Sequence, residues 1–327
     1  MLSKLGWTFS LVAATLVSLA RAAPLDAGTS SFSYGNETFN TYYQVFGREG
    51  GSKTPLIVLH GGPGMSYDYL QTLRDLSGRP ILFYDQIGGG RSTHLQDKPS
   101  SFWTVDLFVK QLESLIAHFC LEEYDVLGHS WGGILASEFA VSQPEGLKKL
   151  VLSNSPPSTQ LWGQSQVEMI SAFPSRVKQS LMDGWADPYH KEALVQYFSV
   201  HGTTLNPWPQ DLTTSFNYLF TDPTADVKMW YVTIDGFPYS RTLKENLKSC
   251  RTGPLQEWTI VDRLSEIQVP TLVVNGGEND MAKDYVIQPL LDGIPNVQHH
   301  KFEGSTHTPF LEERPAYMEV IGTFLDS

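Results

Sequence analysis

The stretch that decides the fold is YDVLGHSWGGILASEFA, residues 124–140. Residues 124–127 are a short run of the kind that forms a buried strand, and residues 134–140 combine helix-forming residues with one apolar face. Between them, Gly128-His-Ser-Trp-Gly132 matches the pattern G-x-S-x-G. Glycines at this spacing allow a sharp turn and a close backbone approach. The stretch therefore predicts a strand, a tight turn that exposes the hydroxyl of Ser130, and a helix.

Other short apolar runs have the character of buried strands. They occupy residues 55–59, 80–84, 150–152 and 270–274. Near-continuous apolar strands of this length are typical of a parallel sheet that is buried on both faces. A helical pattern at residues 103–119 lies between two of these runs. This alternation predicts an α/β fold with a mostly parallel, doubly wound sheet.

The alternation of strands and helices stops near residue 156 and resumes near residue 270. In between, prolines interrupt helical patterns. Five of the eight tryptophans also fall here: Trp162, Trp185, Trp208, Trp230 and Trp258. Since ligands of open α/β sheets bind at the carboxyl ends of the strands, a helical insertion at that edge would form a wall of the site. We expect a mainly helical cap at residues 156–262, inserted into a catalytic domain made of residues 24–155 and 263–327.

The composition limits the class of protein. The chain has 327 residues, is 41% hydrophobic and carries a formal net charge of −12 at pH 7. An acidic surface repels phosphate backbones, so we expect no nucleic-acid partner. Its two cysteines, Cys120 and Cys250, are too few for a disulfide scaffold or a Cys-based zinc site. Whether the two thiols pair with each other stays open, and so does the oligomeric state.

Residues 1–23 have the features of a signal peptide. Lys4 precedes a mostly apolar run at residues 5–19, and small residues flank Arg21 at the expected cleavage site. This run is shorter than the roughly 20 residues that span a bilayer, so we expect cleavage and secretion without stable membrane insertion. Export would also make Asn36 a glycosylation site, because Asn36-Glu-Thr38 is an N-glycosylation sequon.

A second glycine-rich motif, His60-Gly-Gly-Pro-Gly64, follows the predicted strand at residues 55–59. Glycines let a backbone N–H face a substrate oxygen with no side chain in between. Together with the N–H of Trp131, the N–H of Gly62 would form an oxyanion hole, and Gly61 is the alternative donor. A phosphate-binding loop is the competing interpretation. No Lys-Ser or Lys-Thr follows the glycines, which disfavours it.

A serine hydroxyl becomes an effective nucleophile only beside a base that is oriented by an acid. The loop after the predicted strand at residues 270–274 ends in Asp280. In this class of α/β fold the acid follows a late strand and precedes the histidine in the chain. Asp280 is therefore the candidate acid, with Glu278 and Asp284 as alternatives.

The candidate base is His307. It lies in the loop after the last predicted strand, residues 297–302, and before a helix that begins near residue 314. His299 and His300 lie inside that strand, where at least one of them is expected to be structural. We predict a catalytic triad of Ser130, Asp280 and His307, with no metal and no organic cofactor.

Taken together, these motifs resemble the proline iminopeptidase-like family of α/β-hydrolases. The resemblance rests on residues 60–64, 85–92 (DQIGGGRS), 128–133 and 304–307, and on Asp280. It extends over nearly the whole chain after residue 23. It implies an α/β-hydrolase fold with a helical cap, and a serine hydrolase that cleaves an amide, peptide or ester bond of a small molecule or short peptide. Together with the signal peptide, this predicts a secreted serine hydrolase. The resemblance also suggests that residues 85–92 form a structural loop that lines the site, with Gln86 and Arg91 as candidate polar contacts to the substrate.

Members of this family release an N-terminal residue, often proline, and hold its α-amino group with two glutamates. Here Tyr239 stands about where the cap glutamate is expected, and Met281 follows Asp280; Glu245 could substitute. An ammonium ion in a water-poor pocket needs a partner charge. Without the two glutamates, binding of a substrate with a free α-amino group is therefore less favourable. This departure from the family pattern favours, as an alternative, an esterase or an enzyme that forms or cleaves lactones, with Tyr239 lining an apolar acyl site. A non-catalytic binding protein is the second alternative.

Overall fold

The computed structural model of the chain describes residues 24–47, 53–76, 78–226, 229, 254–255 and 257–327. Within these residues the centre of the fold is one sheet of eight strands. The strands are β1 (Asp26–Tyr34), β2 (Glu37–Phe46), β3 (Leu56–Leu59), β4 (Ile81–Tyr84), β5 (Tyr124–His129), β6 (Leu147–Ser153), β7 (Thr271–Gly276) and β8 (Val297–Phe302). Their order across the sheet is β1-β2-β4-β3-β5-β6-β7-β8.

The sheet is mostly parallel, as predicted. β2 pairs antiparallel with β1 and β4, and every other neighbouring pair is parallel. All residues of β3, β4 and β5 are buried, because helices cover both faces of the sheet there. The α/β fold class is confirmed.

The hairpin of β1 and β2 was not predicted from the sequence. Its residues alternate between buried and exposed positions, and its strands are rich in Ser, Thr and Asn. One face of this hairpin is solvated, so it lacks the continuous apolar run that identifies the central strands. The tight turn between the two strands contains Asn36, which is exposed.

Helices α1 (Val105–His118), α2 (Trp131–Val141), α8 (Asp284–Gly293), α9 (Pro309–Glu312) and α10 (Arg314–Asp326) belong to the region predicted as the catalytic domain. The predicted helix at residues 103–119 corresponds to α1. Its first turn is capped by the Thr104 hydroxyl, which accepts a hydrogen bond from the N–H of Leu107 at 3.1 Å. The predicted helix near residue 314 corresponds to α10.

The segment between β6 and β7 is helical in its described part. It contains α3 (Thr159–Ser171), α4 (Ser175–Asp183), α5 (His190–His201), α6 (Gln210–Thr221) and the short α7 (Thr224–Asp226). An isolated bridge between Ser158 and Thr259 joins the two ends of this segment. Within the described ranges the segment adds no strand to the sheet. The domain boundaries at residues 156 and 262 stay predictions.

Several predictions fall on residues that the structure does not describe. They concern the signal peptide at residues 1–23, Tyr239 and Glu245 in the cap, and Cys250. Of the helices that are described, none is long and apolar enough to cross a membrane.

Candidate active site

Ser130 lies at the junction of β5 and α2, in a backbone conformation that an L-residue rarely adopts. Its φ and ψ are 55° and −122°, which marks the strained turn of a nucleophile elbow. The turn requires glycine on both sides. A Cβ on Gly132 would lie 2.1 Å from the carbonyl oxygen of Leu59, and one on Gly128 would lie 2.3 Å from the carbonyl oxygen of Gly132. The half-buried Ser130 is thereby presented at the carboxyl end of β5.

Asp280 follows β7 and is fully buried. Its carboxylate accepts four hydrogen bonds. The donors are the N–H groups of Gly276 (2.8 Å) and Ala282 (3.1 Å), the side-chain amide of Asn154 (2.8 Å) and Nδ1 of His307 (2.9 Å). These donors come from three segments of the chain and fix the orientation of the carboxylate toward His307.

The two alternative acids have other surroundings. Glu278 is exposed. Asp284 accepts hydrogen bonds from the side chains of Asn275 (3.0 Å) and Lys301 (2.9 Å) at the start of α8. Neither carboxylate is hydrogen-bonded to His307, so the geometry favours Asp280.

His307 is 4% exposed and lies beside the elbow. Its ring centroid is 4.8 Å from that of His129, the residue before Ser130. The Trp162 ring, from α3, lies 5.7 Å from the His307 ring. Among the described residues, neither Ser130 Oγ nor His307 Nε2 has a hydrogen-bond partner. The structure thus brings Ser130, Asp280 and His307 to one edge of the sheet, as the strand ends predicted.

His299 and His300 lie in β8, as expected from the sequence. Nε2 of His299 is 2.8 Å from Oδ1 of Asn275. The ring of His300 packs on Phe302, with the two centroids 4.5 Å apart. Both histidines are accounted for by contacts within and next to the sheet.

The two candidate oxyanion donors in the glycine motif, Gly61 and Gly62, have different surroundings. The N–H of Gly61 already donates to Tyr69 Oη at 2.7 Å, inside the protein. Gly62 has a φ of 118°, in the region that favours glycine, and is half-buried. Trp131 begins α2, so its N–H has no intrahelical acceptor. The N–H of Gly61 is therefore committed to a bond inside the protein, and Gly62 with Trp131 stays the predicted oxyanion pair.

Gln86 does not have the surroundings of the substrate contact that was predicted. Its side chain is 1% exposed, and both ends of its amide are bonded. Nε2 donates to the carbonyl oxygen of His60 at 2.8 Å, and Oε1 accepts from Trp131 Nε1 at 2.7 Å. The structure corrects the prediction: Gln86 links the glycine motif to the start of α2.

Arg91 is 30% exposed in its side chain, yet its guanidinium is bonded within the protein. Its guanidinium bonds to the carboxylates of Asp68 (2.9 Å) and Asp85 (2.6 Å) and lies 4.7 Å from the ring centroids of Tyr42 and Tyr67. Asp85 is fully buried, so it needs this cation nearby. The motif at residues 85–92 is a packing motif that supports the loop of His60.

The cap contacts the loop of Asp280 from two helices. The hydroxyl of Ser165, on α3, donates to the carbonyl oxygen of Met281 at 2.6 Å. Nδ1 of His201, on α5, is 2.9 Å from the carbonyl oxygen of Asn279. Burial lowers the pKa of His201, which keeps its ring neutral. Both neighbours of Asp280 are therefore held by the cap.

Sequence reasoning missed two side chains of the site. Asn154 directly follows β6, and its place at a strand end was a signal that could have found it. Tyr69 lies in a 3-10 helix, Tyr67–Asp75, and nothing in the sequence singled it out.

Comparison with known proteins agrees with this architecture. Residues 54–314 match the family described as "alpha/beta hydrolase fold". The fold and the site thus define an enzyme of the α/β-hydrolase class that acts as a serine hydrolase.

The more similar relatives narrow this class. The chain is 32% identical over 297 residues to the proline iminopeptidase of Lactobacillus helveticus, covering 88% of this chain and 95% of that protein. It is 31% identical over 299 residues to the proline iminopeptidase of Clostridioides difficile, with the same coverage. The chain therefore belongs to the proline iminopeptidase-like family of α/β-hydrolases.

Solved structures show the same likeness. The crystal structure of VinJ has a TM-score of 0.80 and 33% identity, covering 93% of this chain and 99% of that one. The crystal structure of proline iminopeptidase from Mycobacterium smegmatis has a TM-score of 0.75 and 33% identity, with 91% and 98% covered.

Proposed function

We propose that this serine hydrolase cleaves an amide, peptide or ester bond of a small substrate through an acyl-enzyme on Ser130. The observation that carries the proposal is the 2.9 Å hydrogen bond between His307 Nδ1 and the buried carboxylate of Asp280, beside the strained backbone of Ser130. A base that is oriented by a buried acid and lies next to a serine hydroxyl is the arrangement that activates a serine nucleophile.

The tautomer of His307 follows from its partner. A carboxylate oxygen accepts, so Nδ1 carries the proton and Nε2 is left with a lone pair. Nε2 takes the proton of Ser130 as Oγ attacks the carbonyl carbon. The N–H groups of Gly62 and Trp131 stabilise the oxyanion. When the tetrahedral intermediate collapses, His307 returns the proton to the leaving group. A water then attacks the acyl-enzyme, with His307 again as the base.

The substrate class that the relatives support is a short peptide or amide with a free N-terminal residue. Two relatives named proline iminopeptidase align over 88% of this chain. Their name describes the release of an N-terminal proline, and on this basis we infer the same type of bond cleavage here.

A specific observation favours an ester or a lactone with an apolar acyl group as the second candidate. Met281 holds the position after Asp280, where the family pattern has an amine-binding glutamate. It is 3% exposed and packs in an apolar cluster with Met169 and Tyr197. Trp162, in the described part of the predicted cap, adds an apolar ring 5.7 Å from the ring of His307. If the acyl chain carries its own hydroxyl, attack of that hydroxyl on the acyl-enzyme would form a lactone in place of an acid.

The mechanism is tested with a fluorophosphonate probe. The wild type is expected to be labelled, and Ser130→Ala is expected to lose the label. The control is Ser142→Ala, which changes an exposed serine directly after α2 and should keep the label. Equal labelling of the wild type and Ser130→Ala would overturn the mechanism. Absence of both labelling and turnover in the wild type would instead support a non-catalytic binding protein.

The substrate class is tested with two substrates side by side. A prolyl arylamide requires recognition of an α-ammonium group, and a short p-nitrophenyl ester requires only an acyl pocket. Robust release of proline would support the peptidase. It would also show that the enzyme does not require a glutamate directly after Asp280. Turnover of the ester alone would support the second candidate.

We also propose that the protein is secreted and glycosylated on Asn36. The exposed position of Asn36 in the β1–β2 turn supports access to the modifying enzyme. In a eukaryotic secretory host, Asn36→Gln is expected to remove a glycosidase-sensitive mass, and the mature chain is expected to begin near residue 24. Retention of the leader, or identical masses for the wild type and Asn36→Gln, would contradict this.

A further inference from the structure

Two buried side chains connect the loops of the site through an unbroken series of hydrogen bonds. Tyr69 is 2% exposed and His129 is 3% exposed. Tyr69 Oη lies 2.7 Å from the N–H nitrogen of Gly61 and 2.7 Å from His129 Nδ1. His129 Nε2 lies 2.8 Å from the carbonyl oxygen of His307. The series runs from the glycine motif, past the residue next to Ser130, to the backbone of His307.

The two ends of the series fix the direction of every proton in it. The carbonyl of His307 can only accept, so His129 Nε2 carries a hydrogen. The N–H of Gly61 can only donate, so Tyr69 Oη accepts there and gives its own hydrogen to His129 Nδ1. Burial lowers the pKa of His129 well below its usual value, and burial raises the pKa of Tyr69. Both groups therefore stay neutral, in a single arrangement of protons.

These side chains also pack tightly around the nucleophile. A Cβ on Gly61 would lie 2.9 Å from Tyr69 Oη and 3.1 Å from Ser130 Cβ. The Phe310 ring covers both side chains, with centroid distances of 5.8 Å to Tyr69 and 5.0 Å to His129. Little space is left for the glycine motif to shift relative to Ser130 while this series of bonds is intact.

We propose that Tyr69 and His129 are positioning residues that hold the Gly61–Gly62 backbone and the His307 backbone at fixed distances from Ser130. The oxyanion donor and the general base are then kept in register by one neutral hydrogen-bonded series. The inference rests on the proposed roles of Gly62, Ser130 and His307. Neither Tyr69 nor His129 exchanges a proton with the substrate in this arrangement.

The series is tested by substitutions that break it at different bonds. Tyr69→Phe removes the hydroxyl and both of its bonds. His129→Asn can accept from Tyr69 but does not reach the His307 carbonyl, and His129→Gln can reach that carbonyl but loses the acceptor toward Tyr69. The matched control is Tyr124→Phe. Tyr124 is 1% exposed and donates its hydroxyl to the carbonyl oxygen of Glu145 at 3.1 Å, away from the site.

The readouts are kcat and KM on a short p-nitrophenyl ester and the rate of fluorophosphonate labelling. Deletion of one oxyanion donor costs about 10²–10³-fold in kcat, so a loosened donor is expected to cost about tenfold. Tyr69→Phe and His129→Asn are expected to lower kcat and the labelling rate by about that factor. KM should stay within about twofold, and the pH at which activity is half-maximal should be unchanged, because neither residue titrates. Tyr124→Phe should match the wild type in kcat.

Several results would overturn the inference. One is a wild-type kcat in folded Tyr69→Phe, and another is an equal loss in Tyr124→Phe. A shifted pH profile would mean that His129 titrates during turnover. If a Tyr69 variant does not fold, the two His129 variants decide.

The wild-type protein gives an independent answer. Its ¹⁵N spectrum should show His129 as the neutral Nε2–H tautomer from pH 5 to pH 8, and a protonated or Nδ1–H ring contradicts the series. Failure of the proposed function has a different signature: Ser130→Ala would then label like the wild type, whatever Tyr69 and His129 do.

Discussion

The side-chain amide of Asn154 donates a 2.8 Å hydrogen bond to the carboxylate of Asp280. Asn154 is itself held from behind. Its Oδ1 accepts from the Ser153 hydroxyl at 2.8 Å, and that hydroxyl accepts from Tyr317 Oη at 3.0 Å. All of these side chains are buried. The acid that faces His307 is therefore oriented by a neutral donor from the neighbouring strand end, in addition to the backbone of its own loop.

Removal of the Asn154 amide should weaken catalysis as well as folding. The residue has a φ of 51°, so Asn154→Gly deletes the side chain without straining the backbone. A hydrogen bond to a charged group contributes about 1.5–3 kcal/mol. If about half of it acts in the transition state, kcat should fall about tenfold. Steady-state kinetics measure this. Ser153→Ala removes the two hydrogen bonds of the Ser153 hydroxyl but leaves the Asn154 amide on Asp280, so it is expected to lose less. A wild-type kcat in Asn154→Gly would show that the backbone donors suffice.

Substitution by alanine should have opposite effects on stability at two glycines, Gly132 in α2 and Gly163 in α3. A Cβ on Gly132 would lie 2.1 Å from the carbonyl oxygen of Leu59, a contact that the backbone cannot relieve locally. Gly163, inside α3, has no atom within 4 Å of the same position. Gly132→Ala should therefore lose soluble, folded protein. Gly163→Ala should raise stability by about 1 kcal/mol through helix propensity. Thermal melts of both variants check this, and a stable Gly132→Ala would contradict the geometry of the elbow.

Arg91 should be required for stability rather than for substrate binding. It compensates the fully buried carboxylate of Asp85. The Arg91 side chain is 30% exposed, and the N–H groups of Tyr67 and residue 91 still bond to Asp85 in Arg91→Ala. The variant should therefore cost less than the roughly 3–5 kcal/mol of a fully buried pair, and lower the free energy of unfolding by about 2 kcal/mol. The control is Arg176→Ala, because the ion pair of Arg176 with Asp187 is on the surface and should matter little. Urea unfolding measures both. A normal melt with a raised KM in Arg91→Ala would restore Arg91 as a substrate contact.

Stability should fall as the pH drops below about 6.5. The ring of His60 is fully buried, donates from Nδ1 to the Gly61 carbonyl and accepts the Gln86 N–H at Nε2, so no second proton fits. Burial lowers the pKa of His60, and also that of His129, below the 6.5 of the unfolded chain. Below pH 6.5 the unfolded state therefore binds more protons than the folded state. Each such ring contributes a slope of about 1.4 kcal/mol per pH unit below pH 6.5, and the contribution is absent above it.

Urea melts between pH 5 and pH 7.5 measure this slope. His60→Gln should reduce the slope by about 1.4 kcal/mol per pH unit, the contribution of one proton. His118→Gln, which changes an exposed histidine, should leave the slope as in the wild type. A wild-type slope in His60→Gln would mean that the folded protein accommodates a charged His60.

Much of the fold was predictable because its signals are local. Continuous apolar runs mark β3, β4 and β5 as buried on both faces, and the glycines around Ser130 mark a turn that no other residue tolerates. Parallel strands also place their carboxyl ends at one edge. That rule is why Asp280 and His307 could be expected near Ser130 from their positions after strands alone.

The hydrogen-bond partners were not predictable in this way. Periodicity reports which face of an element is buried, but it carries no information about which distant atom a polar group will meet. The sequence is compatible with Gln86 as a substrate contact, whereas in the structure its amide joins His60 and Trp131. The N–H of Gly61 meets a hydroxyl eight residues away, that of Tyr69, which no local pattern indicates.

By itself, the sequence determined the α/β class, the tight turn at Ser130 and the chain order of the predicted nucleophile, acid and base. These follow from short-range sterics and from the burial of apolar runs. Only the tertiary structure decided how the site is held: Asn154 on Asp280, Tyr69 on Gly61, and His129 on the His307 carbonyl. Each of these bonds forms because a buried polar group must find a partner, and the partner is set by the packing of segments that are distant in the chain.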